Sequence, residues 1–471
     1  MITLINKALR ITIVPNILKI ASAAIFILLV YYGIQAHSND AALLKELRNT
    51  NIANLFVWSY WWPLIVVGAV FLGRIWCFAC PVEMVTSLSS KIGLKLKRPA
   101  WMLSGWPITV FYIIILFVGI QVLKIHRDPA MMAVYLLSIA GVSVVTGLLF
   151  EKNTFCRYVC PVGHLLGLYS RLSIIGWRVK NKDICSTCKD KSCIRQDYLY
   201  NTATKSCGVD LYPGRLDDNT NCILCAGCLK ACGTYNSTGV KERPNPGFSY
   251  IGFARDIFNH KALSYAEAAF LFVVSGFVIS EILSEWNASN AVISMLPGIV
   301  KAAVGAKGAL STGLIDGFVV FLGYPFVIWT IPFIMLRLSG SGISAGEYLR
   351  NYAVAFIPIM AAAHLCKSIL KMSSRIPYFQ YAAADPTGME MANDIVNKQI
   401  VLATMPEWTA YVVTALMVIF IAVGIHVSMR IIRNLNEAFI HAGKTARFAY
   451  SIPLLYGGIF AVTIVLWRFA G

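Results

Sequence analysis

Apolar residues run along this chain in long blocks rather than in the alternating or 3.6-residue stripes of a soluble fold. A helix that crosses a bilayer needs roughly 17–25 mostly apolar residues. Nine blocks satisfy this: about 20–36, 54–73, 106–123, 131–150, 264–283, 314–336, 351–371, 409–429 and 449–468. The apolar stretch 290–312 is broken by Pro297, Gly298, Gly305, Gly308 and two lysines, and reads as an interfacial or re-entrant piece. The first block follows a basic stretch and precedes no clear small-residue cleavage site, so it reads as an uncleaved helix rather than a signal peptide. Between the fourth and fifth blocks the pattern changes. Residues 178–262 are polar and cysteine-rich, punctuated by Tyr212-Pro213-Gly214 and Asn245-Pro246-Gly247. The pattern predicts an all-α polytopic membrane protein of about nine transmembrane helices with a small α+β domain inserted. The expected order is a four-helix membrane domain over 1–177, the insert over 178–262 and a five-helix membrane domain over 263–471.

Composition agrees. Of 471 residues, 57% are hydrophobic and 14% charged, whereas soluble domains carry about 25% charged residues. A water-soluble enzyme, a disordered chain and a nucleic-acid-binding domain are all poor fits. The net charge of +18 needs no nucleic acid, because cytoplasmic loops are enriched in Lys and Arg. With the N-terminus inside, the inner segments 1–19, 74–105, 151–263, 337–350 and 430–448 account for the excess, apart from Glu267. The outer segments 36–53, 124–130, 284–313 and 372–408 are near neutral. The expected location is therefore a bacterial or archaeal cytoplasmic (inner) membrane with the insert in the cytoplasm. Twelve of the 13 cysteines then face a reducing compartment, where thiolate–metal sites are favoured over disulfides.

Two stretches repeat: Arg74-Ile75-Trp76-Cys77-Phe78-Ala79-Cys80-Pro81 and Phe155-Cys156-Arg157-Tyr158-Val159-Cys160-Pro161. Each is a cysteine hook after a span, with proline suited to the first turn of the next helix. Cys77, Cys80, Cys156 and Cys160 could join in one cluster, act as redox dithiols, bind Cu(I) or merely pack. Arg74 and Arg157 could offset thiolate charge or anchor the inner face. Downstream, Cys222-x2-Cys225-x2-Cys228-x3-Cys232 has the bacterial ferredoxin spacing for a [4Fe–4S] cube, with Gly233 replacing the usual proline. Cys185-x2-Cys188-x4-Cys193 and Cys207 form a looser run. By the crossed pattern, Cys185, Cys188, Cys193 and Cys232 hold one cluster, and Cys222, Cys225, Cys228 and Cys207 the other. Cys207 and Cys232 could exchange places. The insert is thus expected to be a ferredoxin-like 2[4Fe–4S] domain.

As a set, the hooks and runs over roughly 54–260 resemble the NapH/NosR/CcoG-type membrane polyferredoxins. The resemblance implies electron transfer from quinol or cytoplasmic donors toward extracytoplasmic reductases, or assistance to metalloenzyme maturation. It implies an oxidoreductase component, either an electron carrier or a quinol-dehydrogenase-like subunit of a respiratory complex. The chain departs from the pattern in its shorter first hook, in having no preceding flavin domain or following immunoglobulin-like domain, and in its five further spans. The basic insert could dock an acidic flavodoxin- or ferredoxin-like donor, though positive-inside bias explains the same charge.

In the last five spans, His364, Lys367 and Lys371 share one helix face. Ionisable groups within a span are costly and point to function. The face could bind a quinone headgroup, relay protons, ligate haem through His364, or hold snorkelling lysines beside a satisfied histidine. Glu281 and Glu285 could pair with the lysines. His426 lies too far from the depth of His364 to share a haem. His37 and His126 fall at outer helix ends, His164 carries no assigned role, and Cys366 reads as a small buried residue. The long loop 372–408 could dock an extracytoplasmic partner or simply connect spans. The leading reading is a membrane iron–sulfur electron carrier. The alternatives are a metal-reducing maturation factor or a cluster-controlled transporter or sensor.

Overall fold

The computed structural model describes residues 2–11, 13–200, 205–233, 244–259, 261–403, 405–439 and 444–470. Among these, eight helices are long and apolar enough to cross a membrane: Ile13–Gln35, Ile52–Leu72, Pro129–Leu149, Tyr265–Leu283, Ala309–Leu338, Ala353–Ser374, Glu407–Glu437 and Arg447–Phe469. The remaining sequence block forms the shorter apolar helix Trp106–Val122. The interrupted stretch is also helical: Asn287–Ala303 contains Pro297, and the next span begins at Ala309, earlier than the hydropathy block. Among the described residues, three helices contain wide i→i+5 turns, at Val57–Trp61, Ile115–Val122 and Val319–Gly323. Such turns are uncommon and recur at functional sites.

The chain packs as two compact units, each built from non-consecutive segments. The first comprises Met1–Leu28, Val67–Ile108 and Leu136–Ile257. Its sheet has two antiparallel strands, β1 (Ile175–Val179) and β2 (Pro246–Tyr250), in the register Ile175↔Tyr250 to Val179↔Pro246. The strands bracket the cysteine runs in sequence. Trp177 and Phe248 meet edge to face at 5.1 Å on this sheet, in a core shared with Leu9, Phe78, Leu224 and Leu229. The N-terminal helix Ile2–Arg10 lays Ile2, Ile5 and Leu9 on this core. Asn6 pairs with the Phe248 backbone in both senses, donating to its carbonyl at 3.0 Å and accepting from its N–H at 2.8 Å. A side-chain amide therefore satisfies peptide groups that would otherwise form an open strand edge.

The second unit comprises Leu29–Val66, Thr109–Tyr135 and Phe258–Gly471. Its centre is Ala353–Ser374, almost wholly buried. Gly424 lets the long helix Glu407–Phe439 approach it closely, since a Cβ there would stand 2.8 Å from the Ala362 Cβ. Polar stitches suit an apolar medium with few competing partners. Trp329 Nε1 donates to Ser275 Oγ at 3.1 Å, and Tyr352 OH to Asn436 Oδ1 at 3.0 Å. Three segments assigned to one side of the membrane meet in this unit. Thr50 donates to the Gly388 carbonyl at 2.9 Å, Asn51 to that of Thr387 at 2.9 Å, and His37 lies 4.0 Å from Asp128. Within 372–408, Met389–Val396 packs Ala392 against Leu43 and Leu47 of the helix Ala41–Thr50.

Candidate metal centre

All twelve grouped cysteines belong to the first unit. The two hooks fold alike. Five-residue helices, Ile75–Ala79 and Thr154–Tyr158, carry Cys77 and Cys156. Cys80 and Cys160 are extended residues that begin Pro81–Ile92 and Pro161–Tyr169, each with proline in the first turn. Helix N-termini supply inward N–H groups and a positive dipole end, both favourable to thiolate. The Gly163 N–H donates to Cys160 Sγ at 3.2 Å.

The hook thiols crowd one another. Burial pushes Cys80 up to about 12, with Cys77 and Cys160 adding to it. Burial pushes Cys160 up to about 11, with Cys77 contributing against the Gly163 N–H and Arg74. Cys156 is raised by burial and then by Glu83, Cys160, Cys80 and Cys77. Arg74 is 3% exposed. It donates to the Thr220 carbonyl at 3.0 Å and the Cys156 carbonyl at 3.5 Å, and it hydrogen-bonds Cys77. Burial opposes its charge, but Cys77, Cys160 and Cys156 together raise its pKa. Gly163 leaves room for it: a Cβ there would stand 2.6 Å from Arg74 Nη2. Arg157 instead donates to the Val209 carbonyl.

The cysteines of the ferredoxin-type runs also act on one another. Burial pushes Cys193 up to about 12, and Cys232, Cys185, Cys188 and Cys207 add to this in that order. Burial raises Cys228, with Cys207, Cys222 and Cys225 adding. It also lifts Cys222 to about 12 and Cys207 to about 11, and Cys225 acts on both. Left-handed residues shape these loops: Lys191, Asp210, Leu224 and Ala226 have φ of 44°, 55°, 53° and 58°. Non-glycine residues there cost roughly 1–2 kcal/mol each. What the strain achieves is visible in the N–H groups. Lys191 N donates to Cys188 Sγ at 3.4 Å, Leu211 N to Cys207 Sγ at 3.4 Å, and the Leu224 N–H to Cys222. Side chains add Trp177 Nε1 to Cys228 Sγ and Asn245 Nδ2 to Cys185 Sγ, both at 3.1 Å. Donors aimed at sulfur are a lever on iron–sulfur potentials.

This donor set fits iron–sulfur cubes. Buried thiols that repel one another as thiolates are stabilised by a cationic core. Among the described residues, His, Cys, Asp and Glu side chains do not converge on one point as the ligands of a single ion do. A four-iron cube takes one thiolate per iron, so its ligands stand apart by the width of the cluster.

The sequence motifs give no warning of the charge network beside the hooks. Glu83, 1% exposed, pairs with Lys19 and with Lys205 at 3.5 Å, and accepts from Asn153 Nδ2 at 2.7 Å. Burial would raise its carboxyl, but Lys205, Lys19 and these hydrogen bonds hold it down to about 2. The one local signal is an acid three residues after Cys80 in a basic segment.

The membrane candidates lie in the second unit. His364 packs against Trp62 and Phe277, with ring centroids 6.0 Å away in each case. Lys367 pairs with Glu285, and with Glu281 at 3.4 Å; Lys371 reaches Glu285 at 3.7 Å. The glutamate–lysine pairing expected from sequence is therefore present. Cys366 is buried, its thiol 3.4 Å from the Met417 carbonyl.

One family model covers both hooks. Residues 54–99 and 132–184 match the family described as a 4Fe-4S binding domain. The matched residues contain Cys77, Cys80, Cys156 and Cys160 and stop just before Cys185. The chain is 30% identical over 156 residues to the methylamine utilization ferredoxin-type protein MauN of Paracoccus denitrificans, covering 27% of this chain and 53% of that protein. It is 26% identical over 178 residues to the uncharacterized protein MJ0749 of Methanocaldococcus jannaschii, covering 36% of this chain and 65% of that protein. The chain thus spans between about half and two thirds of the curated relatives it matches. No solved structure matches. Over the matched residues the chain is similar to iron–sulfur proteins of the ferredoxin type, and it carries helices long and apolar enough to cross a membrane.

Proposed function

We propose that the chain is a membrane-bound electron carrier with three [4Fe–4S] sites. It would pass electrons between a cytoplasmic donor or the quinone pool and a redox partner in the membrane or beyond it. Cys77, Cys80, Cys156 and Cys160 would hold the first cluster, with Arg74 balancing thiolate charge. Cys185, Cys188, Cys193 and Cys232 would hold the second, and Cys207, Cys222, Cys225 and Cys228 the third. The observation that carries the reading is that neighbouring thiols raise one another: Cys160, Cys80 and Cys77 act on Cys156, Cys232, Cys185, Cys188 and Cys207 on Cys193, and Cys207, Cys222 and Cys225 on Cys228. The crossed assignment of Cys207 and Cys232 is supported by their neighbours: Cys232 acts first among thiols on Cys193, and Cys207 first on Cys228. A bound cluster supplies a reversible one-electron step at each site. The chain's part is to exclude water, aim N–H groups at sulfur and place compensating cations.

The test is anaerobic purification with iron and sulfide quantitation and EPR. About twelve irons per chain support three cubes, whereas about eight remove the hook cluster, at four irons per cube. A carrier is reoxidised rapidly by a quinone analogue or respiratory partner. A maturation factor is instead dispensable once its target enzyme is assembled.

A further inference from the structure

Three arginines from three segments gather in the second unit without carboxylate partners. Arg48 stands on the helix Ala41–Thr50, Arg127 precedes the helix Pro129–Leu149, and Arg375 precedes Ile376–Ala384. Burial and then Arg48 depress the guanidinium pKa of both Arg127 and Arg375. None of the three makes an ion pair among the described residues. Three neighbouring acids are engaged elsewhere. Glu281 and Glu285 pair with Lys367, and Asp128 accepts from Ala130 N at 2.9 Å. Glu285 and Glu46 pull on Arg375 less strongly than Arg48 pushes.

A small, partly open cavity lies beside this cluster, lined in part by Arg48, Arg375, Lys371, His126, Trp58 and Ile120. Trp58 and Ile120 lie on two of the three wide helical turns. Arg48 Nε, Trp58 Nε1 and His126 Nδ1 are buried and have no hydrogen-bond partner. His126 Nε2 accepts from Arg127 Nε at 3.1 Å, and burial followed by Arg127 and Arg48 holds the ring neutral, with its pKa at about 3. A neutral ring that accepts at Nε2 carries its proton at Nδ1. Three buried N–H donors therefore lack acceptors where positive charge is in excess. Such groups are costly unless an acceptor meets them.

We propose that this cavity binds a phosphate-type oxyanion, held by the guanidinia of Arg48 and Arg375 and the N–H groups of Trp58 and His126. A ligand rich in acceptor oxygens answers these three unpaired donors. Donors arriving from several segments suit a tetrahedral anion better than a planar carboxylate, and guanidinium forks match phosphate oxygens in pairs. The source could be the headgroup of an anionic phospholipid or free phosphate.

The full chain, purified in phosphate-free zwitterionic detergent, is titrated with inorganic phosphate. A second arm compares nanodiscs of phosphatidylglycerol with nanodiscs of phosphatidylcholine. Thermal melting and native mass spectrometry are the readouts. A saturable rise in melting temperature is expected from one of the two phosphate sources. A response to inorganic phosphate identifies a soluble oxyanion, and a response to phosphatidylglycerol alone identifies a headgroup. Arg48→Gln should weaken that response about tenfold or more, the loss of one charge-assisted contact, and Arg48→Lys should fall between. Ligand-free Arg48→Gln should melt at or above the wild-type temperature, because it relieves repulsion. The proposal is overturned if neither source binds, if Arg48→Gln and Arg375→Gln respond as wild type does, or if ligand-free Arg48→Gln melts well below wild type.

Discussion

Replacing Glu83 by glutamine keeps the shape of the side chain and its contact with Asn153 but deletes the one negative charge between Lys19 and Lys205. The carboxyl is held at about 2 against an ordinary 4.5. At about 1.4 kcal/mol per unit, this difference corresponds to roughly 3 kcal/mol of stability at neutral pH. The sign is that of a depressed acid: the contribution is present above pH 4.5 and fades as pH falls toward 2. Glu83 is 1% exposed, so solvent screening takes little away. Breaking a buried ion pair from one side costs about 3–5 kcal/mol in other proteins, in line with this figure. For a body the size of the first unit, 3 kcal/mol moves the melting temperature by about 6–12 °C. The assay is thermal melting of anaerobic Glu83→Gln in detergent at pH 7, with iron content measured alongside. A double-mutant cycle with Lys205→Met should show that the two losses are not additive, because each removes the same pair. A Glu83→Gln protein that melts within about 1 °C of wild type, or a cycle with no coupling, would refute the electrostatic account.

Cys228→Ser should abolish one ferredoxin-domain EPR signal and lower iron content, whereas Cys366→Ser should leave all iron in place, because its buried thiol meets the Met417 carbonyl. Trp177→Phe removes the 3.1 Å donor to Cys228. At about 1 kcal/mol of preference for the more negative reduced state, one potential should fall by on the order of 40 mV in redox-titrated EPR. Glu285 is held at about 2, the opposing effect of burial being outweighed by Lys367 and Lys371. Wild type should therefore melt above Glu285→Gln at pH 6, and the gap should narrow as pH drops below 4.5; a gap independent of pH contradicts the pairing.

Much of this could be read from local pattern. Spans are long apolar blocks, so eight of the nine appear as helices of spanning length and the other as the shorter helix Trp106–Val122. The hooks were legible because proline and cysteine spacing acts within one turn, and both prolines open helices. Contacts between distant residues were not legible. Glu83 meets Lys19 and Lys205 across 64 and 122 positions, and no periodicity encodes such a meeting. The wide turns at Val57–Trp61 and Ile115–Val122 carry no compositional mark, because any apolar run can widen by one hydrogen bond. The pairing of Lys367 with Glu281 and Glu285 was foreseen because helical spacing put each set on one face, which leaves only a single interhelical match to guess.

The positive charge of the chain has two origins that its total conceals. Loop lysines and arginines record membrane orientation, and that explanation requires them to reach water or headgroups. Arg74 cannot. It is 3% exposed and its contacts are the carbonyls of Thr220 and Cys156 and the thiol of Cys77. Lys19 and Lys205 likewise turn toward Glu83. A cation placed there without nearby negative charge would oppose folding. For Arg74, metal-bound thiolates at the hooks would supply that charge under the proposed function. Among these cations Arg74 is set against the hook thiols, and Lys19 and Lys205 against Glu83. Burial distinguishes the two origins: an orienting arginine is free to move along the interface, whereas Arg74 is fixed by the glycine that makes space for it at position 163.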